Sequence, residues 1–266
     1  MADRKRFLEL VSDLPGALKR LQKEVRERPN DAKLRTYLFQ LLAVQGDWQR
    51  ALNQLQVAAQ LEASALPMAQ TYREAIRCEV YRSEVFMGKR TPQILGEPPA
   101  WIGLLVESLS RLAQGHVAAA ELSRAQAFEQ APGQSGTIDG QAFEWIADAD
   151  PRLGPVCEAI IDGKYYWVPF QRLVSIKVDP PADLRDVIWA GAQLELATGA
   201  RQIALIPARY PGSESADDDA LRLSRMTTWQ QAGPDTYIGI GQRMWATDAG
   251  EYPLLDVRDI HFAGGD

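Results

Sequence analysis

The spacing of apolar residues changes once along the chain, at residues 131–137. Before this segment, apolar residues recur three and four positions apart, which is typical of amphipathic helices. After it, short apolar runs alternate with polar residues or end at turn residues, which is typical of strands. The segment itself contains breakers and small polar residues, the composition of a connecting loop. The sequence therefore predicts two domains, an all-α domain at residues 1–130 and an α+β domain with mostly antiparallel strands at residues 137–266.

The first half carries a repeat signal. Gly46 separates two amphipathic segments and is suited to end one helix, while Asp47 is suited to cap the next. Gly115 lies 69 positions later, close to twice the period of about 34 residues of tetratricopeptide (TPR) repeats. The small residues that this pattern requires in the second helix fall at Ala51, Ala58, Ala120 and Ala127. We therefore predict degenerate TPR-like hairpins, which either form a concave surface for a partner or pack on the second domain.

The second half is predicted to consist mainly of short strands. Asp162-Gly163 is a hairpin-turn signal that precedes an aromatic strand. Strands are predicted at 159–161, 164–170, 173–178, 192–197, 202–207, 236–240, 243–247 and 254–262. A short helix is predicted at 139–149, and residues 183–189 are compatible with either structure.

Composition excludes several classes of function. The 266 residues carry 29 Lys+Arg against 35 Asp+Glu, a net charge of -6, which is too acidic for a nonspecific nucleic-acid binder. No apolar run reaches the roughly 20 residues that a membrane-spanning helix requires, and acidic residues up to Asp13 interrupt any signal-peptide core. Cys78 and Cys157 are too few for a disulfide framework. A cytoplasmic protein that binds neither nucleic acid nor membrane is expected.

Motifs for catalysis, metals and cofactors are largely lacking. His116 and His261 have no Cys or His at ligand spacing, so we predict neither a metal site nor a cofactor. The main enzymatic alternative is a carboxylate-dependent hydrolase that uses Asp148, Asp150 and Asp186. A turn in which these carboxylates cap amides and pair with arginine is the favoured interpretation.

Arginine and aromatic residues are unusually dense in the second half, and such residues are enriched at binding hot spots. The candidate partner-binding residues are Trp167, Arg185, Trp189, Arg209, Tyr210, Arg225, Trp229 and Arg243. The same composition is equally compatible with a buried Arg–Asp lattice that braces the domain.

Several motifs together resemble the ImpE family, also called SciE-type or TagJ, which is an accessory component of bacterial type VI secretion systems. The matching stretches are residues 148–155, 163–169, 181–186, 207–212, 225–229 and 239–244. The resemblance implies a nonenzymatic cytoplasmic adaptor that binds the N-terminal helix of the small contractile-sheath subunit and is linked to the ClpV unfoldase. It brings no catalytic residues. A TPR scaffold of another cytosolic assembly remains a third hypothesis.

Overall fold

The computed structural model describes residues 13–264, so the predicted lack of a signal peptide concerns residues outside the described part. The helices are α1 (Leu14–Glu27), α2 (Ala32–Val44), α3 (Trp48–Leu61), α4 (Leu66–Phe86), α5 (Ala100–Ala113), α6 (Val117–Gln130) and α7 (Asp219–Arg222). We call residues 14–130 the helical half. In the described part of the chain, no helix is both long and apolar enough to cross a membrane.

The strands lie mainly in residues 136–262, which we call the strand half. They are β1 (Gln93–Ile94), β2 (Gly136–Ile138), β3 (Gln141–Phe143), β4 (Ile146–Asp148), β5 (Val156–Ile161), β6 (Lys164–Pro169), β7 (Leu173–Val178), β8 (Trp189–Leu196), β9 (Arg201–Pro207), β10 (Thr227–Gly233), β11 (Thr236–Gly241), β12 (Met244–Thr247), β13 (Gly250–Pro253) and β14 (Asp259–Phe262). The predicted class, helices followed by mostly antiparallel strands, is confirmed.

The predicted turn between α2 and α3 is confirmed in its details. Gly46 has φ +70°, the left-handed conformation that ends a helix at low cost in glycine. The Asp47 carboxylate accepts a hydrogen bond from the amide of Arg50 at 3.3 Å and so caps α3. Gly115, with φ +80°, makes the equivalent turn between α5 and α6. The helical hairpins are therefore present, and their assignment to the TPR type stays a prediction.

The small residues of the helical half lie where the predicted packing requires them. Ala51, Ala58, Ala120 and Ala127 are all fully buried. A buried alanine lets two helix backbones approach closely, so the alanine pattern identified a packing constraint.

The largest sheet has nine strands in the order β1-β6-β5-β9-β8-β7-β14-β2-β3. All its neighbours are antiparallel except β1 and β6. Two smaller sheets, β10-β11 and β13-β12-β4, complete the strand half. Asp162 and Gly163 both have positive φ between β5 and β6, which confirms the predicted hairpin turn.

The helix predicted at 139–149 is wrong. Asp139 and Gly140 have φ of +48° and +82° and form a tight turn between β2 and β3, and β4 follows. An Asp-Gly pair is a strong hairpin signal, and it determines the local structure here. Residues 183–189 contain a 3₁₀ turn, Leu184–Val187, followed by the start of β8, and only Asp259–Phe262 of the predicted strand at 254–262 is extended in a sheet.

One apolar core runs from the helices into the large sheet. Its aromatic centre is formed by Trp189 of β8, whose ring lies 6.0 Å from Trp48 and 5.5 Å from Tyr72. Phe86 and Trp167 form a second contact across the same boundary, with ring centroids 6.4 Å apart. The helices thus pack on the sheet, and the division at residues 131–137 stays a prediction about domain boundaries.

Candidate functional site

Four fully buried charged residues, Arg82, Asp148, Glu158 and Arg243, form what we call the buried network. Arg82, on α4, donates from Nε and Nη2 to the two carboxylate oxygens of Glu158 at 2.7 and 2.8 Å. Arg243 and the Tyr165 hydroxyl also donate to Glu158. Burial would raise the pKa of Glu158, but Arg82 and Arg243 lower it to about 2. Glu158 is therefore ionised at neutral pH, and it joins α4 to the sheet.

Asp148 is the second anion of the buried network. Arg243 contacts its carboxylate, and the Tyr210 hydroxyl lies 3.1 Å from Oδ1. Burial raises the pKa of Asp148 to about 6, against the opposing effect of Arg243. Arg243 also donates from Nε to the carbonyl of Pro207 at 2.8 Å. Two carboxylates and one backbone carbonyl thus hold a single guanidinium in place.

Arg209 is hydrogen-bonded to the C-terminal end of a helix. Its guanidinium donates to the carbonyls of Ala43 and Val44, at 3.1 and 2.7 Å, where α2 ends. A further bond reaches the carbonyl of Arg222 at 2.7 Å. Burial lowers the pKa of Arg209 to about 10. A cation at a helix C-terminus satisfies unpaired carbonyls and complements the helix dipole, so Arg209 ties α2 to the strand half.

The two buried tryptophans among the candidates are also committed to internal contacts. Trp189 donates from Nε1 to Glu79 at 3.0 Å, and Trp167 donates to the Tyr165 hydroxyl at 2.7 Å. Both side chains are fully enclosed. Their polar atoms are satisfied inside the protein, as buried indole groups require.

Three of the eight candidate residues reach the surface. Trp229 is 37% exposed and lies 5.7 Å from the Tyr210 ring. Arg225 is exposed at the start of the same hairpin. Arg185 is partly exposed, pairs with Asp183 at 2.5 Å, and lies 5.0 Å over the Tyr72 ring.

Burial separates the candidates into two groups. The predicted partner surface is corrected for five of them, Trp167, Trp189, Arg209, Tyr210 and Arg243, because their side chains are enclosed and bonded internally. For these five, the buried-lattice interpretation describes the contacts observed. For Arg185, Arg225 and Trp229, partner binding stays a prediction.

The carboxylates of the hydrolase hypothesis do not share a cleft. Asp150 is fully buried, pairs with Arg152 at 2.6 Å and accepts the amide of Gly239 at 3.0 Å. Asp186 accepts the amides of Ala182 and Asp183 at 2.6 and 2.9 Å and so caps the 3₁₀ turn. In residues 13–264, no group of three or more His, Cys, Asp or Glu residues is placed to hold a metal ion. The favoured capping and pairing interpretation matches these contacts.

An open groove of about 580 Å³ lies between α3 and α4. Its apolar lining is formed by Trp48, Leu52, Ile76 and Val80, and Val80 is 46% exposed. Arg77 and Asp47 stand at its rim. This groove was not predicted from the sequence, although the spacing of four between Trp48 and Leu52 indicates that they share one helix face.

A smaller cavity of about 310 Å³ lies between α2 and the segment before β8. Lys33 and Gln40 line it from the helix side, and Asp183 faces it from the strand half. Burial raises the pKa of Asp183, and Arg185 opposes the increase. This cavity borders the segment that contains the partly exposed Arg185, and its volume is about half that of the α3–α4 groove.

Comparisons with known proteins give three similarities. Residues 140–261 match the model of a family described as ImpE protein. The type VI secretion system accessory component TagJ of Pseudomonas aeruginosa is 52% identical over 249 residues, which cover 94% of this chain and 87% of that protein. The crystal structure of protein VPA1032 from Vibrio parahaemolyticus has a TM-score of 0.87, covers 98% of this chain and 97% of its own, and is 24% identical. At that identity the crystal structure supports the fold alone.

Proposed function

The chain belongs to the ImpE family, and from this premise we propose that it is a nonenzymatic accessory component of a type VI secretion system. The likeness to TagJ along nearly the whole chain supports this role. The candidate carboxylates Asp148 and Asp150 pair with arginines inside the protein, which also favours a binding protein over a hydrolase.

The proposed partner is the N-terminal helix of the small sheath subunit, and the proposed docking site is the α3–α4 groove. The observation that carries this choice is the open apolar lining of Trp48, Leu52 and Val80. An amphipathic helix places apolar side chains at positions i, i+3 or i+4 and i+7, which suits a groove between two helices. Charged residues at the rim would fix the register of the bound helix.

A link to ClpV and a cytoplasmic location complete the proposal. Both follow from the family resemblance, in which the adaptor connects sheath to the unfoldase that recycles it. Arg185 and Arg225, which reach the surface of the strand half, are the charged candidates for this second contact.

The test is a calorimetric titration with a peptide that spans the N-terminal helix of the sheath subunit. Saturable binding is expected, and Val80→Asp should weaken it by roughly tenfold or more because a carboxylate would have to be desolvated against the apolar face. Leu122→Asp is the matched control, since Leu122 is 67% exposed on α6, outside the groove. Absence of binding by the unaltered protein, or equal weakening by both variants, would contradict the assignment.

A further inference from the structure

The cavity of about 310 Å³ between α2 and residues 182–184, which we call the α2 cavity, has the size of a small-molecule site. Such sites measure roughly 300–1,000 Å³ and combine apolar walls with a few polar groups that orient the ligand. Here the walls come from elements that are distant in sequence, because α2 faces residues 182–184 and Glu62 follows the end of α3. The packing of the two halves therefore creates this space.

Gln40 is the polar side chain that distinguishes the α2 cavity. It lines the cavity, is only 7% exposed, and lies in a stretch of α2 whose other members, residues 38, 39 and 41–44, are buried and apolar. In residues 13–264 its carboxamide makes no hydrogen bond, whereas every other buried polar or charged side chain, aromatic residues and cysteines apart, makes at least one. A buried amide without a partner is unfavourable, so this exception indicates a partner outside the chain.

The second buried glutamine of the described chain shows how a carboxamide is satisfied. Gln242 is 8% exposed, its Nε2 donates to the carbonyl of Ser224 at 2.9 Å, and its Oε1 accepts from the amide of Leu255 at 3.0 Å. The donor and the acceptor of one carboxamide thus each bond a peptide group. Gln40 has the same two groups and can offer both to a molecule in the α2 cavity.

The charges around the α2 cavity favour a ligand without net charge. Asp183 faces the cavity, but its carboxylate accepts the amide of Arg185 at 3.0 Å and pairs with the Arg185 guanidinium. Burial raises the pKa of Asp183, so a second negative charge beside it is unfavourable. Lys33 and Glu62 have opposite signs and are both exposed to solvent.

We propose that the α2 cavity binds a small uncharged ligand that joins an amide to an apolar group. The ligand carbonyl accepts from the Gln40 NH₂ group, and the ligand N–H donates to the Gln40 carbonyl, the reciprocal pair that two amides form. The apolar group lies against Ala182 and Leu184. Thr36 offers no competing donor, because its hydroxyl donates to the carbonyl of Ala32 at 2.9 Å. This inference does not depend on helix docking at the α3–α4 groove.

An NMR titration of the full ¹⁵N-labelled chain with benzamide and with isovaleramide tests the proposal. At least one of these amides should bind saturably, with a dissociation constant of about 1 mM or tighter, and should shift the side-chain NH₂ resonances of Gln40. Those resonances are identified by their absence in Gln40→Leu. Benzoate has the ring of benzamide but a negative charge and no N–H, so it should bind at least about tenfold more weakly.

Two further variants separate ligand binding from a structural role. Gln40→Leu should weaken binding of the amide by roughly tenfold or more, and Gln126→Leu is the matched control, since Gln126 is exposed on α6 and does not line the cavity. Gln40→Leu should not lower the Tm, because it removes no internal hydrogen bond, whereas Gln242→Leu should lower it.

Four results would overturn the proposal. They are failure of both amides to saturate the protein below about 20 mM, equal binding of benzoate and benzamide, unchanged amide affinity in Gln40→Leu, and a fall in Tm with Gln40→Leu as large as that with Gln242→Leu.

Discussion

The helical half and the strand half are held together by different chemistry. In the helical half the closest helix contacts are made by alanines such as Ala51 and Ala120, which are fully buried and carry no polar side-chain atoms. In the strand half, several equally buried positions carry charged groups, namely Asp148, Glu158 and Arg243. A charge removed from water is costly unless its partners are in place. The stability of the helical half therefore depends on the volume of the side chains between its helices. The stability of the strand half depends on each buried charge keeping all its partners.

The largest expected effect comes from Glu158→Gln, which removes the anion shared by Arg82 and Arg243. Because two buried guanidinium groups would lose their counter-charge, we expect the free energy of unfolding to fall by about 3–5 kcal/mol. Urea denaturation followed by circular dichroism measures it. Glu195→Gln is the control, because its partner Arg201 is largely exposed and the loss there should stay below about 1 kcal/mol. Equal losses would show that burial of the charge does not determine the loss of stability.

The next effect concerns pH. The pKa of Asp148 is raised to about 6 in the folded protein from 3.8, so the unfolded chain releases this proton first as pH rises. The contribution of Asp148 to stability therefore falls between about pH 4 and pH 6, by up to about 1 kcal/mol per pH unit, and is constant above that window. Glu158, with its pKa lowered to about 2 from 4.5, contributes stability that is lost as pH falls from 4.5 toward 2.

Denaturation at closely spaced pH values, for the unaltered protein and for Asp148→Asn, separates these contributions. The variant should be less stable overall, because Arg243 loses a partner, but its stability should decline less between pH 4 and pH 6. Parallel curves over that window would refute the assignment to Asp148.

The smallest effect is expected in the helical half. Ala127→Leu should lower the free energy of unfolding by about 1–3 kcal/mol, because the added methylene groups have no space at a fully buried position. Ala125→Leu, at an exposed position of α6, should change it by less than about 0.5 kcal/mol. If Ala127→Leu is neutral, the helices do not approach closely at this site.

The sequence predicted the helical hairpins well because their signals are local. Gly46, Asp47 and Gly115 determine turns through their own conformations, and apolar spacing determines which face is buried. The helix predicted at 139–149 is wrong because Asp139 and Gly140 form a tight turn between β2 and β3. β10 was missed because its residues do not alternate between apolar and polar types.

The candidate site was less predictable for a physical reason. Arginine and aromatic residues have the same composition whether they face a partner or each other, and only the fold decides between the two. Arg209 illustrates this: its acceptors, the carbonyls of Ala43 and Val44, lie more than 160 positions away in sequence. Trp229 and Arg225, from the same set of candidates, are exposed.

The bond between Arg82 and Glu158 also limits how genes of this kind can be rearranged. The match to the family model begins at residue 140, yet Glu158 takes two of its hydrogen bonds from a helix 76 positions upstream. A gene fusion that kept the matched segment but replaced the helices would have to supply an arginine at the same place. Substitutions at positions 82 and 158 should accordingly occur together, and the coding regions of the two halves should be transferred between genomes together.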